Sequence, residues 1–320
     1  MKQYFLFLGI IGIILLSFLS CKKKDNIDDS LDNLVTIASN LPKLTAYYDL
    51  MFINENVGYA LSKSFVAKTT DGGYSWTTFE IPKHSYNGKI QFIDEQIGYV
   101  IGQNNRVLLK TTNGGQDWEE IDLNTYGYSP WGIYFLDKDT GFIVGEDLFI
   151  KTTDGGKSWA NLKREDRITY LDVNFKNNKE GIVTFSNGEY FETTDGGTTW
   201  NNLKYNTVNS LYSIYFVENK TLVSTFHEKL LDITNNQEVI SLPSSNLKFA
   251  FFDSKHSIAT GTLITGCWTQ SDNVFITNDG WETYTKKTLS GTEGTNPICA
   301  KMSESKIMVL TDRNVMIFER

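Results

Sequence analysis

The stretch T-T-D-G-G-Y-S-W at residues 69–76 decides the fold, because the chain repeats it. It recurs as T-T-N-G-G-Q-D-W at 111–118, T-T-D-G-G-K-S-W at 152–159 and T-T-D-G-G-T-T-W at 193–200, with a decayed copy, T-N-D-G-W-E-T-Y, at 277–284. Asp71, Asn113, Asp154, Asp195 and Asp279 are spaced 42, 41, 41 and 84 residues apart, so the last interval is a double one. Midway through it, T-N-N-Q-E-V-I-S at 234–241 keeps Thr234 and Asn236 in register but lacks the glycines and the tryptophan. One degenerate unit fills the gap. Self-similarity at this period means a single supersecondary unit copied many times.

The motif has the chemistry of a tight hairpin. Paired threonines favour extended backbone, the Asp or Asn side chain accepts backbone N–H groups in the turn, and Gly-Gly supplies positive φ without steric cost. Upstream, each unit carries alternating apolar segments split by a polar turn, as in I-Q-F-I-D-E-Q-I-G-Y-V-I-G from Ile90 and I-Y-F-L-D-K-D-T-G-F-I-V-G from Ile133. Period-two alternation with closely spaced turns means short antiparallel strands. Each unit therefore has four strands, A to D from the axis outwards, with the repeated motif between C and D. Trp76, Trp118, Trp159 and Trp200 open strand D and are read as core, with Tyr284 as their smaller substitute. Calcium on the aspartates is the functional alternative, but Asn113 replaces one of them and no unit offers a dense oxygen cluster.

Four-stranded units of this length, repeated in series, make an all-β propeller. These motifs resemble the Asp-boxes, or BNR repeats, of sialidases and related propellers. Combined with I-x-F-x-D-x-x-x-G-Y, they resemble the propeller family of the photosystem II stability and assembly factor over about residues 44–320. The resemblance implies the fold, and an assembly-factor role in photosynthetic relatives. It says little of function, because Asp-boxes serve enzymes, receptors and assembly factors alike. Six units end near Ile81, Leu123, Leu162, Leu203, Leu242 and Leu289, and the remainder supplies three strands. L-V-T-I-A-S at 34–39 is the unassigned strand-like segment that would complete a seventh blade and remove open edges. Six or eight blades are the alternatives.

The chain opens with Lys2, an apolar and small run from Tyr4 to Ser20, then Cys21 and three lysines. Residues 1–20 read as an export signal, and the cysteine resembles the lipidation site of bacterial lipoproteins, although Phe18 stands where leucine is usual. An uncleaved membrane anchor is the other reading. Residues 21–33 are charged and poor in apolar side chains, hence a solvated tether, and 34–320 form a single propeller. The lysine-then-acid order resembles Bacteroidetes surface-lipoprotein signals, which places the protein at the outer membrane, on its periplasmic side or at the cell surface. The formal charge of -8 argues against nucleic acid.

An up-and-down path puts the A–B and C–D turns on one face and the D–A and B–C connections on the other. The first face is short, polar and acidic, as scaffold turns are. Connections on the second carry His84, Tyr86, Tyr126, Tyr128, Trp131, Tyr170, Tyr205, Tyr212 and Trp268. Of the five arginines, Arg106, Arg164, Arg167 and Arg313 fall there too. Aromatics on loops that need form no core, beside arginine forks, make a binding surface for a protein or peptide. Packing against the blade tops, and ion pairs with neighbouring acids such as Glu146, Asp147, Glu165, Asp166 and Asp312, are the bland alternatives. Cys267 and Cys299, on neighbouring blades of this face, could form a disulfide.

Catalysis finds little support. The sialidase Arg-Ile-Pro signature is absent, Arg167-Ile168 being followed by Thr169. Glu146, Asp166, Asp272 and Glu293 could serve a glycosidase, but no spacing singles out a pair. The three histidines, His84, His227 and His256, are scattered without metal-ligand spacing, and no nucleotide or nucleophile motif calls for a cofactor. The expectation is a non-catalytic binding or assembly propeller on a lipid tether; a glycan-binding protein or glycoside hydrolase using the same face is the alternative.

Overall fold

The computed structural model describes residues 34–43, 45–82, 88–102, 105–162, 167–205, 210–226, 228–265, 269–289 and 297–320. They form seven four-stranded antiparallel sheets, each ordered A-B-C-D. The inner strands, in chain order, are Tyr47–Phe52, Gly88–Phe92, Pro130–Phe135, Tyr170–Phe175, Leu211–Val217, Ser245–Phe251 and Ile298–Lys301. In the seventh blade the outer strand is Leu34–Ile37, which pairs with Val315–Glu319 and sets Leu34 opposite Phe318. The N-terminal strand thus closes the ring, as the strand count requires. Just after it, the Asn40 amide both donates to the Trp76 carbonyl and accepts the Trp76 N–H, tying the closing segment to the first blade.

The Asp-box turns show why the motif reads T-x-D. The Thr69 hydroxyl donates to Asp71 Oδ1 at 2.9 Å and accepts the Gly73 N–H at 2.8 Å, while Asp71 Oδ1 accepts the Ser75 N–H at 2.9 Å. The same hub recurs on Thr111, Thr152, Thr193 and Thr277. These threonines are buried, so their hydroxyls are structural as well as their β-branching. The indole N–H of Trp76 returns to the Gly73 carbonyl at 2.8 Å, and Trp118 and Trp159 do likewise to Gly115 and Gly156.

Blades are glued by a three-layer contact written in F-x-D-x-x-x-G-Y. The Phe92 ring lies so close to Gly98 that a Cβ there would come within 2.5 Å of it, and the other side of the ring stacks on Tyr59 of the preceding blade at 3.5 Å. Phe135 repeats this with Gly141 and with Tyr99 at 3.6 Å. Glycine is required because the ring occupies the space of its missing side chain. Each such ring pair adds about 0.5–1.5 kcal/mol beyond the area it buries.

Two units depart from expectation. In the decayed copy, Trp281 sits at φ 73 where the other boxes have their second glycine, 2% exposed and edge-on to Phe249 at 5.6 Å. Left-handed backbone at a bulky residue costs about 1–3 kcal/mol, which burial of the indole offsets. Tyr284 packs edge-on to Phe275, so the tryptophan supplies the large ring here from a shifted position. In the degenerate fifth unit the turn is held by Asp232, which accepts the Thr234 and Asn235 N–H groups, rather than by Asn236.

Candidate functional site at the channel mouth

The inner strands converge on the axis, and five of them bulge at the same level. Pairing skips Tyr48 in the first blade, Trp131 in the third, Leu171 in the fourth, Tyr212 and Ser213 in the fifth, and Asn246 and Leu247 in the sixth. A bulge leaves its extra residue outside the ladder and re-aims its side chain. All of these skipped residues line a cavity of about 240 Å³ at the channel mouth, on the face of the D–A and B–C connections. Trp131 and Tyr212 meet edge-to-face at 6.4 Å, and Tyr212 continues to Phe226 at 6.0 Å. Phe226 is 54% exposed, so this aromatic wall opens to solvent.

Below the mouth, a second cavity of about 320 Å³ runs between the inner strands. Four charges from four blades border it: Asp49, Lys89, Asp172 and Lys248. Lys89 Nζ meets Asp172 Oδ1 at 2.5 Å across the channel. Asp172 Oδ2 also accepts the Ile214 N–H at 3.1 Å, and Asp49 accepts the N–H groups of Ile90 and Leu50. The carboxylates therefore satisfy backbone donors on inner edges that have no further strand to pair with. Burial pushes the Asp49 carboxyl up, against the pull of Lys248 and Lys89. Burial disfavours the Lys89 ammonium too, but contact with Asp172 outweighs it and holds the group above its ordinary value. Lys248 goes the other way, pushed down by burial and by repulsion from Lys89. No hydrogen bond or ion pair reaches its ammonium from the described residues.

The residues expected on this face divide into several groups. Trp131 is at the mouth, its buried indole N–H without an acceptor among the described residues. Arg106 lies 4.9 Å over the ring of Tyr128, which is 52% exposed, and Tyr126 packs half-buried against the blade top. Tyr170 is a correction: it is fully buried among Phe149, Phe185 and Phe191 and is not presented to a partner. Tyr205 is buried as well. The Arg167 N–H donates to Asp147 Oδ1 at 3.0 Å, and Arg313 lies 3.5 Å from Asp312. Arg106, Arg167 and Arg313 come from separate blades and do not line the mouth, so they form no single cluster. Cys299 is a free thiol in the channel wall, pushed up to about 12 by burial, and it donates to the Lys248 carbonyl. Its expected partner Cys267 lies outside the described residues, as do Cys21, His84, Tyr86, Arg164 and Trp268.

Comparison with known proteins extends this picture. A family model described as photosynthesis system II assembly factor YCF48 matches residues 36–130. The photosystem II assembly lipoprotein Ycf48 of Synechococcus sp. (strain CC9902) is 32% identical over 143 residues, 39% of this chain and 42% of that protein. The chloroplastic photosystem II stability/assembly factor HCF136 of Guillardia theta is 26% identical over 113 residues, 29% of each chain. The match thus spans less than half the length of these curated relatives. Among solved structures, YCF48 bound to D1 peptide superposes with a TM-score of 0.65 at 19% identity, covering 89% of this chain and 94% of that one. YCF48 from Cyanidioschyzon merolae gives 0.63 at 19%, covering 89% and 98%. The chain resembles this assembly-factor family in its repeats, and the structural likeness is one of fold.

Proposed function

We propose that this chain is a non-catalytic binding propeller that holds a protein or peptide partner at its channel mouth and the loop face around it. The observation that carries the reading is the set of five bulges at one level, which aims Trp131, Tyr212 and their neighbours into a single open cavity. Aromatic side chains on a rigid scaffold give contact area at small entropic cost. The opposite face consists of turns whose polar groups bond one another. A solved relative is named as bound to D1 peptide and the curated relatives are named as assembly factors, which supports peptide or protein capture here. Arg106 with Tyr128, together with Arg167, Arg313 and Tyr126, extends the surface beyond the mouth.

The propeller is displayed from a membrane through lipid on Cys21, with 21–33 as tether. Two of the curated relatives are named lipoproteins, which supports this anchoring. The lysine-then-acid sequence after Cys21 favours the outer membrane, on its periplasmic side or at the cell surface. Metabolic labelling with an alkynyl palmitate analogue is expected to mark the wild-type chain and not Cys21→Ser; label retained by the variant contradicts the anchor. For the binding face, the full chain is immobilised beside a Trp131→Ala, Phe226→Asp variant and both are challenged with native membrane extract and a glycan panel. A protein retained by the wild type alone is expected. Glycan binding or turnover that the substitutions abolish would replace the peptide reading with the sugar one.

A further inference from the structure

Among the described residues, no carboxylate touches the Lys248 amine at the cavity wall. Of the four charges that the described residues place in the channel, Lys89 and Asp172 are in contact, while Asp49, whose carboxylate accepts two backbone N–H groups, attracts Lys248 without touching it. Lys248 borders both the mouth and the deeper cavity, so its head group can meet a ligand entering from the loop face. A half-buried ammonium without a partner gains most from an anion brought to it in a place where water is restricted. The mouth itself is small. At about 240 Å³ it is smaller than the roughly 300 Å³ at the low end of small-molecule pockets. It has room for one side chain or one chain terminus, with the deeper cavity of about 320 Å³ behind it. Beside Lys248 the wall is aromatic, which favours an apolar group next to the anion.

We propose that the channel mouth reads a carboxylate on its partner, with Lys248 as the counter-ion and the Trp131–Tyr212–Phe226 wall holding the apolar group that carries or adjoins it. This rests on the binding-face reading above and names the chemistry it selects. A free chain end and an aspartate or glutamate side chain share this chemistry, and the two differ only in what neighbours the carboxylate. Lys89 contributes positive potential but stays with Asp172, so recognition depends on Lys248.

The test uses the full chain in detergent micelles with its lysines reductively methylated by a ¹³C label. The Lys248 resonance is identified by its loss in Lys248→Arg. Benzoate is expected to move that resonance saturably, and benzamide is not. Three peptides then separate the sources: N-acetyl-Gly-Gly-Phe as free acid, the same peptide as C-terminal amide, and N-acetyl-Gly-Asp-Phe amide. A charged hydrogen bond predicts at least about tenfold tighter binding of one or both acids than of the neutral amide, and whichever acid binds identifies the source. In Lys248→Met the preference for acids over the amide disappears. Equal binding of all three peptides, or benzamide matching benzoate, overturns the proposal without recourse to any variant. Should the probes leave Lys248 unmoved while a partner still crosslinks to the loop face, carboxylate reading fails and the binding face stands.

Discussion

Thr152 is 1% exposed, and its hydroxyl donates to Asp154 Oδ1 at 2.8 Å while accepting the Gly156 N–H at 2.9 Å. Thr152→Val keeps the shape and the β-branching but leaves that N–H without its acceptor. The expected cost is about 1–3 kcal/mol, read as a lower urea midpoint at unchanged slope. The aspartates of these turns give a pH signature. Asp154 is held down to about 2 chiefly by the Ser158 hydroxyl and N–H, and Asp195 to about 2 by the Thr199 N–H and hydroxyl. Their folded values lie below the roughly 3.9 of an unfolded aspartate. The stability they contribute is therefore present above about pH 4 and is lost as pH falls toward 2. The gap in urea midpoint between wild type and Asp154→Asn, Asp195→Asn is expected to shrink over that window; a gap independent of pH would contradict it. At this scale the turn residues were legible in the sequence, because Asp and Gly-Gly have few other uses between strands. The threonine hubs were not, since β propensity already explained those residues. Trp281 was missed because no propensity argument places an indole at φ 73.

Between neighbouring elements, the blade-to-blade contact rests on a glycine that must stay a glycine. Gly98→Ala would drive a Cβ into the Phe92 ring, at an expected cost of about 1–3 kcal/mol as overpacking. Combined with Phe92→Leu, the same substitution should cost clearly less than it does alone, and calorimetric unfolding of the four proteins of that cycle measures the coupling. Additive costs would show that the ring is not what excludes the side chain. Strand order and the glycine motif could be read from sequence because both are local and repeated. The channel charges could not, because they meet across blades: Lys89 and Asp172 are 83 residues apart. A charge within an apolar inner strand, as in Y-Y-D-L, G-K-I, L-D-V and L-K-F, was the available signal. The bulges that aim Trp131 and Tyr212 likewise depend on partner strands and leave no mark in the local pattern.

For the molecule as a whole, closure by Leu34–Ile37 is a long-range commitment that one segment makes for the entire ring. Deleting 34–37 exposes the edge of Val315–Glu319, and an unpaired edge invites pairing with other chains. The expected result is a lower melting temperature together with oligomers by light scattering; a monomer of unchanged stability would contradict closure. The blade count and the closing strand were legible from bookkeeping on the repeat. The working surface was legible only as a face, and the fold was needed to find its centre on the axis. That centre is the central claim, and the most direct measurement is photo-crosslinking in the protein's own cells. p-Benzoylphenylalanine is placed at Phe226, on the rim of the mouth, or at Tyr74, which is 58% exposed on an Asp-box turn of the opposite face. A discrete crosslinked partner at position 226 and none at 74 is the predicted result. A partner captured at 74, with 226 silent, would contradict it.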